Sequence, residues 1–167
     1  MSAPQRRVMV VLVVAGALAL DQVTKAWALT ALEGRVIDVV PTVELRLAYN
    51  SGFSFGLGAE FGPIVALVVL VIASLLARAA FRERDALRAL LFAVVLGGAL
   101  GNIVDRVARA DAGPLSGSVV DFIAVTWYAV FNVADMFVVC GAILLALVDL
   151  RRDRAEPLDA GAVRRRT

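Results

Sequence analysis

Four long apolar stretches, separated by polar segments, dominate the hydrophobic pattern of this chain. They predict helices over about 8–29, 62–77, 87–105 and 131–150. With their flanking residues they reach roughly 17–25 residues each, the length that crosses a hydrocarbon core about 30 Å thick. The fold class predicted is therefore an all-α membrane protein with four transmembrane helices.

A different pattern lies between the first two stretches. Apolar and polar residues alternate from Val43 to Tyr49, and a period of two indicates a half-buried strand. We therefore expect a small extracytoplasmic β element in the first outer loop. The glycine-rich segment after it carries Phe53 and Phe55, which either anchor the chain among lipid headgroups or form a flap over a site.

Composition strengthens the membrane assignment. Sixty per cent of the 167 residues are hydrophobic and the mean hydropathy is +0.83, whereas soluble domains are only about 45–50% apolar. We expect one integral membrane domain over 1–153 and a disordered, basic cytoplasmic tail over 154–167. The single cysteine, Cys140, falls inside the fourth stretch and offers no disulfide framework.

Positive charge predicts the orientation, because Lys and Arg near span ends collect on the cytoplasmic side. Arginines are dense before the first stretch, between the second and third, and after the fourth. Both termini are therefore expected in the cytoplasm. The net charge of +2 reflects this topology, and we expect no nucleic-acid partner.

The N-terminus also resembles a cleavable signal peptide, since Arg6 and Arg7 precede an apolar run with the pattern Ala17-Leu18-Ala19. Apolar character resumes after Asp21, however, and completes a full span. Cleavage would also leave an odd number of spans between the arginine-rich segments. We therefore expect the first stretch to be retained.

The chain contains no histidine, which excludes a Ser–His–Asp triad, a Cys–His pair and an HExxH zinc site. Carboxylates are the main catalytic groups left. Asp121 and Asp135 lie where a polar loop enters the fourth stretch, and two carboxyls that repel each other can supply a general acid and a general base. Taken singly, Asp135 could instead satisfy free N–H groups at a helix N-terminus, and Asp121 could be an ordinary loop acid.

Polar residues accompany the first and fourth stretches. Asp21 and Lys25 are spaced i,i+4 near the outer end of the first predicted helix. Three interpretations follow: a local ion pair, a Lys25 that snorkels to the surface, or a contact with substrate. Asn132 and Asp135 are spaced i,i+3 on the fourth. The amide of Asn132 could therefore orient the carboxyl of Asp135.

The third stretch carries Ala93, Gly97 and Gly101 at four-residue spacing, a pattern that lets helices pack closely in lipid. A cluster of polar residues follows one turn later: Asn102, Asp105 and Arg106. Charged groups within a span cost about 2.5–3.5 kcal/mol each on insertion scales. We expect the glycines to be structural and the polar cluster to orient a site.

Five sequence blocks resemble the lipoprotein signal peptidases, or type II signal peptidases, in order and position. These blocks are LDQVTK (20–25), LAYNSGFSFG (47–56), GALGNIVDR (98–106), VVDFI (119–123) and FNVAD (131–135). The resemblance implies an aspartic endopeptidase of the bacterial cytoplasmic (inner) membrane. Such an enzyme removes the signal peptide of diacylglyceryl-modified prolipoproteins, just before the lipidated cysteine, and needs no metal or organic cofactor.

Carried over by motif, the resemblance makes Asp121 and Asp135 the catalytic pair at the extracytoplasmic face. It adds residues that bind the substrate or support the site: Asp21, Lys25, Asn50, Phe53, Asn102, Asp105, Arg106 and Asn132. The interval between the two aspartates is shorter than in many members, consistent with a tight turn through Thr126 and Trp127. Met136 stands where many members have serine. We further predict an aromatic lid over the peptide, formed by Tyr49, Phe53, Phe55 and Trp127.

Without the resemblance, two other classes stay open. A small four-helix ion-coupled transporter could use Asp21, Asp105 and Asp135 to relay ions. Such proteins usually place acids near the bilayer midplane and often show internal repeats, whereas here the acids cluster toward one face and no repeat is visible. A non-catalytic assembly subunit would explain the glycines but not the polar cluster.

Overall fold

The computed structural model describes residues 1–51, 62–110 and 115–155. Within these ranges the helices are α1 (Ala3–Ala31), α2 (Gly62–Arg82), α3 (Ala86–Ala108) and α4 (Val133–Ala155), and the strands are β1 (Ile37–Val40), β2 (Val43–Asn50) and β3 (Val119–Val125). Each predicted helix is present, with shifted ends. In the described residues α1, α3 and α4 are long and apolar enough to cross a membrane.

Local capping explains where two helices begin. The Ser2 hydroxyl accepts the N–H of Gln5, and the Gln5 side chain accepts the N–H of Ser2, a reciprocal capping box. This box starts α1 at Ala3, five residues before the apolar stretch begins. Asp85 accepts the N–H of Arg88 at 2.9 Å and starts α3. Helix α4 continues to Ala155, two residues into the predicted tail, and residues 156–167 lie outside the described ranges.

Helix α3 is the centre of the bundle and packs against α1, α2 and α4. Its small residues allow this. A Cβ atom on Gly97 would lie 2.6 Å from the Cβ of Ala17 in α1, and one on Gly98 would lie 2.5 Å from the carbonyl oxygen of Ala134 in α4. Such distances leave no room for a side chain, so the predicted structural role of these glycines is confirmed.

The three strands form one antiparallel sheet in the order β1-β2-β3. The alternating stretch is β2, as predicted. The β element predicted between the first two helices is present as β1 and β2, but the sheet also contains β3, from the segment between α3 and α4, which the sequence did not predict. The first four residues of β3 are all buried, so they show no alternation, and Phe122 packs on Ala28 of α1 and on Leu32, which caps the end of that helix. Asp121 therefore lies on a buried strand and not on a polar loop.

A tight turn leads from β3 to α4. The N–H of Tyr128 donates to the carbonyl of Val125 at 2.9 Å, which agrees with the predicted turn through Thr126 and Trp127. Phe131 then pairs with Ile123 in an isolated bridge. Because of this pairing, α4 begins only at Val133. The prediction that Asn132 lies on the fourth helix is therefore wrong, since Asn132 immediately precedes α4.

Candidate active site

Asp121 lies on β3 beneath two amide side chains. Nδ2 of Asn132 donates to its Oδ1 at 2.7 Å, and Nδ2 of Asn50, the last residue of β2, donates to its Oδ2 at 3.3 Å. The side chain is only 3% exposed. Both carboxylate oxygens therefore have donors, although the group is almost removed from water.

Asp135 is the third residue of α4, and it shares a reciprocal cap with Asn132. The N–H of Asp135 donates to Oδ1 of Asn132 at 3.1 Å, and the N–H of Asn132 donates to Oδ2 of Asp135 at 3.2 Å. The other carboxylate oxygen, Oδ1, accepts from Nδ2 of Asn102 at 2.8 Å. Asp135 therefore satisfies a helix N-terminus, as one interpretation predicted, and also joins the polar cluster of α3.

Two amides connect the aspartates. Nδ2 of Asn132, which binds Asp121, also lies 3.1 Å from Oδ1 of Asn102, and Asn102 in turn binds Asp135. The sequence predicted that Asn132 orients Asp135; the structure shows that Asn132 contacts both carboxyl-bearing residues. Because amides have fixed donor and acceptor ends, this chain restricts the relative orientation of the two carboxylates.

Burial and charge both act on Asp121. Removal from water raises its pKa from 3.8 to about 6, and the negative charge of Asp135 contributes to the rise. Hydrogen bonds from Asn132 and Asn50 and the positive charge of Lys25 oppose it. A proton is therefore held in this pair at pH values where an isolated aspartate would be ionised.

Lys25 is buried beneath the pair, which rules out the alternative that it snorkels to the surface. Its Nζ lies 2.9 Å from Oδ2 of Asp21 and 3.1 Å from Oδ2 of Asp105. It also donates to Oδ1 of Asn102 at 2.9 Å. The predicted i,i+4 ion pair with Asp21 is present, but it belongs to a larger network.

The remaining predicted residue of α3, Arg106, is buried beside β3. Its Nη1 donates to the carbonyl of Gly117 at 3.4 Å, and the N–H of Gly117 donates to the carbonyl of Arg106 at 3.1 Å. Arg106 thus secures the chain that leads into β3. Phe53, predicted to contact substrate, and its lid partner Phe55 lie outside the described residues.

Gln22 was missed by sequence reasoning. Its Nε2 lies 3.1 Å from Oδ2 of Asp21, 3.2 Å from the carbonyl of Gly101 and 3.4 Å from Oδ1 of Asp105. The available signal was a third polar residue beside Asp21 in an apolar stretch. Gly101 matters here as well, because its Cβ would lie 2.9 Å from Cγ of Asp21.

A groove of about 610 Å³ begins at the two polar residues Asn50 and Asp135. It continues along α4 over Met136, Val139 and Cys140. Because Met136 and Val139 are about half exposed, the groove runs over the apolar outer surface of α4. The site therefore combines one buried carboxylate, Asp121, and one partly buried carboxylate, Asp135, with an apolar groove along α4.

Comparison with known proteins identifies this arrangement. A family model described as signal peptidase (SPase) II matches residues 11–151. The chain belongs to the signal peptidase II family. It is 40% identical over 148 residues to the lipoprotein signal peptidase of Rhodococcus jostii (strain RHA1), covering 87% of this chain and 74% of the relative. It is also 40% identical over 151 residues to that of Mycobacterium bovis (strain BCG / Pasteur 1173P2), covering 89% and 74%.

Solved structures of two bacterial membrane enzymes share the fold. One superposes with a TM-score of 0.75 at 24% identity, covering 89% of this chain and 92% of the other. The second gives 0.71 at 25% identity, covering 85% and 92%. With the family match, these findings make the chain a membrane protease that cleaves the signal peptides of lipoproteins. They do not support the transporter alternative.

Proposed function

We propose that Asp121 and Asp135 are the catalytic dyad of an aspartic endopeptidase that cuts diacylglyceryl-modified prolipoproteins just before the lipidated cysteine. The observation that carries this proposal is the chain of amide groups through Asn132 and Asn102, which links the carboxylates of Asp121 and Asp135. The raised pKa of Asp121, about 6, supports it. A pair that holds one proton near neutral pH can act as acid and base together.

In the proposed mechanism, the ionised carboxylate takes a proton from a water molecule, and the water oxygen attacks the carbonyl carbon of the scissile bond. The protonated carboxyl donates a hydrogen bond to the carbonyl oxygen and then protonates the leaving nitrogen. Asn132, Asn50 and Asn102 hold the carboxylates during these steps. Each general acid–base step contributes about 10²–10⁴-fold to the rate, and the pair titrates with two macroscopic pKa values.

We place the dyad at the extracytoplasmic face of the bacterial cytoplasmic membrane, with four spans and both termini in the cytoplasm. Two contacts at the far end of the bundle support this topology. Val10 near the start of α1 packs on Ala80 and Ala89, and Arg152 near the end of α4 pairs with Asp85 between α2 and α3 at 2.7 Å. The start of α1 and the end of α4 thus lie beside the arginine-rich α2–α3 turn, at the end of the bundle opposite the sheet.

The groove along α4 explains how a lipidated substrate reaches the dyad. Its acyl chains can stay in the bilayer and run over Val139 and Cys140, while the peptide bond reaches Asp135 at the polar end. We propose that the exposed rings of Tyr49 and Trp127 form part of the lid over the peptide, together with Phe53 and Phe55.

The deciding experiment uses detergent-purified enzyme and a prolipoprotein that carries a diacylglyceryl cysteine. Wild type is compared with Asp121→Asn and Asp135→Asn after circular dichroism and gel filtration have established that all three fold. Mass spectrometry should locate the wild-type cut immediately before the lipidated cysteine, with turnover in both variants reduced at least about 10³-fold. Near-normal turnover in either folded variant would reject the dyad.

A further inference from the structure

The chain uses lysine only once. Its 17 basic residues comprise sixteen arginines and Lys25. The lysine occupies the most buried basic position among the described residues, with 1% of its surface exposed. This contrast indicates that the position depends on a property of the lysine side chain that arginine lacks.

The arrangement of hydrogen-bond acceptors around Nζ shows which property this is. An ammonium group has three donors arranged around one nitrogen, and Nζ of Lys25 has three acceptors at hydrogen-bond distance. They belong to Asp21 (2.9 Å), Asp105 (3.1 Å) and Asn102 (2.9 Å). Asp21 comes from α1, whereas Asp105 and Asn102 come from α3. A guanidinium, which is planar and wider, cannot place three donors on one compact point.

Each carboxylate bound by Lys25 also holds the backbone beside one member of the dyad. Oδ1 of Asp21 accepts the N–H of Ala134 at 3.0 Å, one residue before Asp135. Oδ2 of Asp105 accepts the N–H of Val120 at 2.9 Å, one residue before Asp121. In both α4 and β3, therefore, a carboxylate accepts the backbone N–H of the residue before a dyad aspartate. The ammonium group of Lys25 binds both of these carboxylates.

We propose that Lys25, Asp21 and Asp105 form a yoke that fixes the separation of the two catalytic carboxylates, with Lys25 as its central positioning residue. The proposal rests on the assignment of Asp121 and Asp135 as the dyad. Lys25 acts through Asp21 on the start of α4, through Asp105 on β3, and through Asn102 on Asp135 itself. None of these links requires Lys25 to touch substrate.

The kinetic test compares two replacements of Lys25 on the lipidated prolipoprotein. Lys25→Met removes the charge and the donors at similar length, whereas Lys25→Arg keeps the charge and changes the shape. We expect kcat to fall at least about 100-fold in Lys25→Met, which is about 2.7 kcal/mol, and about 10-fold in Lys25→Arg. KM should change less than about threefold in both, since substrate binding is not the altered step.

The pH–rate profile separates positioning from a merely structural role. The charged groups around Asp121 are Asp135 from α4, Lys25 and Asp21 from α1, and Asp105 and Arg106 from α3. Because the positive charge of Lys25 favours ionised carboxylates, both limbs of the profile should move to higher pH in Lys25→Met and stay in place in Lys25→Arg. Thr30→Ala is the matched control, since among the described residues the Thr30 hydroxyl donates to the carbonyls of Ala26 and Trp27 in its own helix, and its kinetics should equal wild type.

A second variant keeps the test decisive if Lys25→Met does not fold. Gln22→Leu removes a neutral donor that reaches both Asp21 and Asp105. Hydrogen exchange should then speed up about 3- to 10-fold at Val120 and Ala134 together, while the N–H of Thr126, bonded to Thr42, exchanges as before. Unchanged exchange at Val120 and Ala134, or a folded Lys25→Met within threefold of wild-type kcat, would overturn the yoke. Activity retained in Asp121→Asn would instead overturn the dyad.

Discussion

Nδ2 of Asn132 lies 2.7 Å from Oδ1 of Asp121, and the same side chain accepts the first-turn N–H of Asp135. Asn132 therefore has two separable roles, as a helix cap and as a donor to the dyad. A serine at position 132 can still cap α4, because a serine hydroxyl also accepts first-turn N–H groups. Its shorter side chain cannot reach Asp121.

This separation gives a paired prediction. Asn132→Ala should lose about 0.5–2 kcal/mol of stability through the missing cap, together with most of its activity. Asn132→Ser should recover most of that stability while kcat stays at least about 10-fold below wild type. Thermal unfolding and cleavage kinetics on the same preparations measure both. An Asn132→Ser enzyme with wild-type kcat would show that the amide does not act on Asp121.

The raised pKa of Asp121 predicts how stability depends on pH. Its folded-state pKa of about 6 exceeds the ordinary value of 3.8, so the folded protein holds this proton more tightly than the unfolded chain. The stability contributed by that proton is present below pH ~4 and is lost as the pH rises through about 6. The full shift corresponds to about 3 kcal/mol.

Asp121→Asn removes this titration. Its apparent Tm should therefore rise relative to wild type as the pH increases from about 4 to 7, by roughly 2–4 °C for each kcal/mol. Differential scanning fluorimetry in detergent, at matched ionic strength, gives the two curves. A constant difference between wild type and variant across this range would show that Asp121 does not titrate with a raised pKa.

The sequence predicted the helices because their signal is local: an apolar stretch of sufficient length forms a helix in lipid wherever it packs. It also predicted β2, because apolar and polar residue types alternate along that stretch. Strand β3 lacked that signal, because Val119 to Phe122 are all buried. Its identity as a strand depends on β2 and α1, which are distant in sequence.

In the candidate site too, contacts between residues distant in sequence were harder to predict than local ones. The resemblance implied Asp121 and Asp135 as the dyad, and the residues predicted around them, Asn50, Asn102 and Asn132, do contact them. The partners of Lys25 could not be predicted, since Asp105 and Asn102 lie on another helix. Spacing along one helix detects only neighbours such as Asp21. Gln22 was missed for the same reason.

The close contact between Gly101 and Asp21 yields a test of packing. A methyl group on Gly101 would lie 2.9 Å from Cγ of Asp21, so Gly101→Ala should displace that carboxylate and cost about 1–3 kcal/mol. Activity should fall with it, because Asp21 holds the start of α4. Gly16→Ala is the control: nothing lies within 4 Å of its Cβ, so it should be neutral or slightly stabilising. Equal stability of the two variants would contradict the packing argument.

Ion pairs at the opposite end of the bundle should matter much less. Arg88 contacts Glu83 at 2.9 Å and Asp149 at 2.5 Å, and all three side chains are partly exposed. Such pairs contribute about 0.2–1 kcal/mol and weaken in salt. Arg88→Met removes two such pairs and should therefore lower the apparent Tm by no more than about 8 °C and leave kcat unchanged. A large loss of activity would mean that this end is coupled to the dyad.

The apolar groove predicts a change in substrate binding without a change in chemistry. Val139 lines the groove and is 51% exposed, so Val139→Trp should occupy space that an acyl chain needs, while Asp135 stays in place. We expect KM for the diacylglyceryl substrate to rise about 10-fold, the effect of losing about 1.4 kcal/mol of binding, with kcat within about threefold. Leu147→Trp is the matched control, because Leu147 is similarly exposed on α4 but does not line the groove. If both variants raise KM equally, the effect comes from the lipid-facing surface in general; if neither does, the acyl chains follow another path to the dyad.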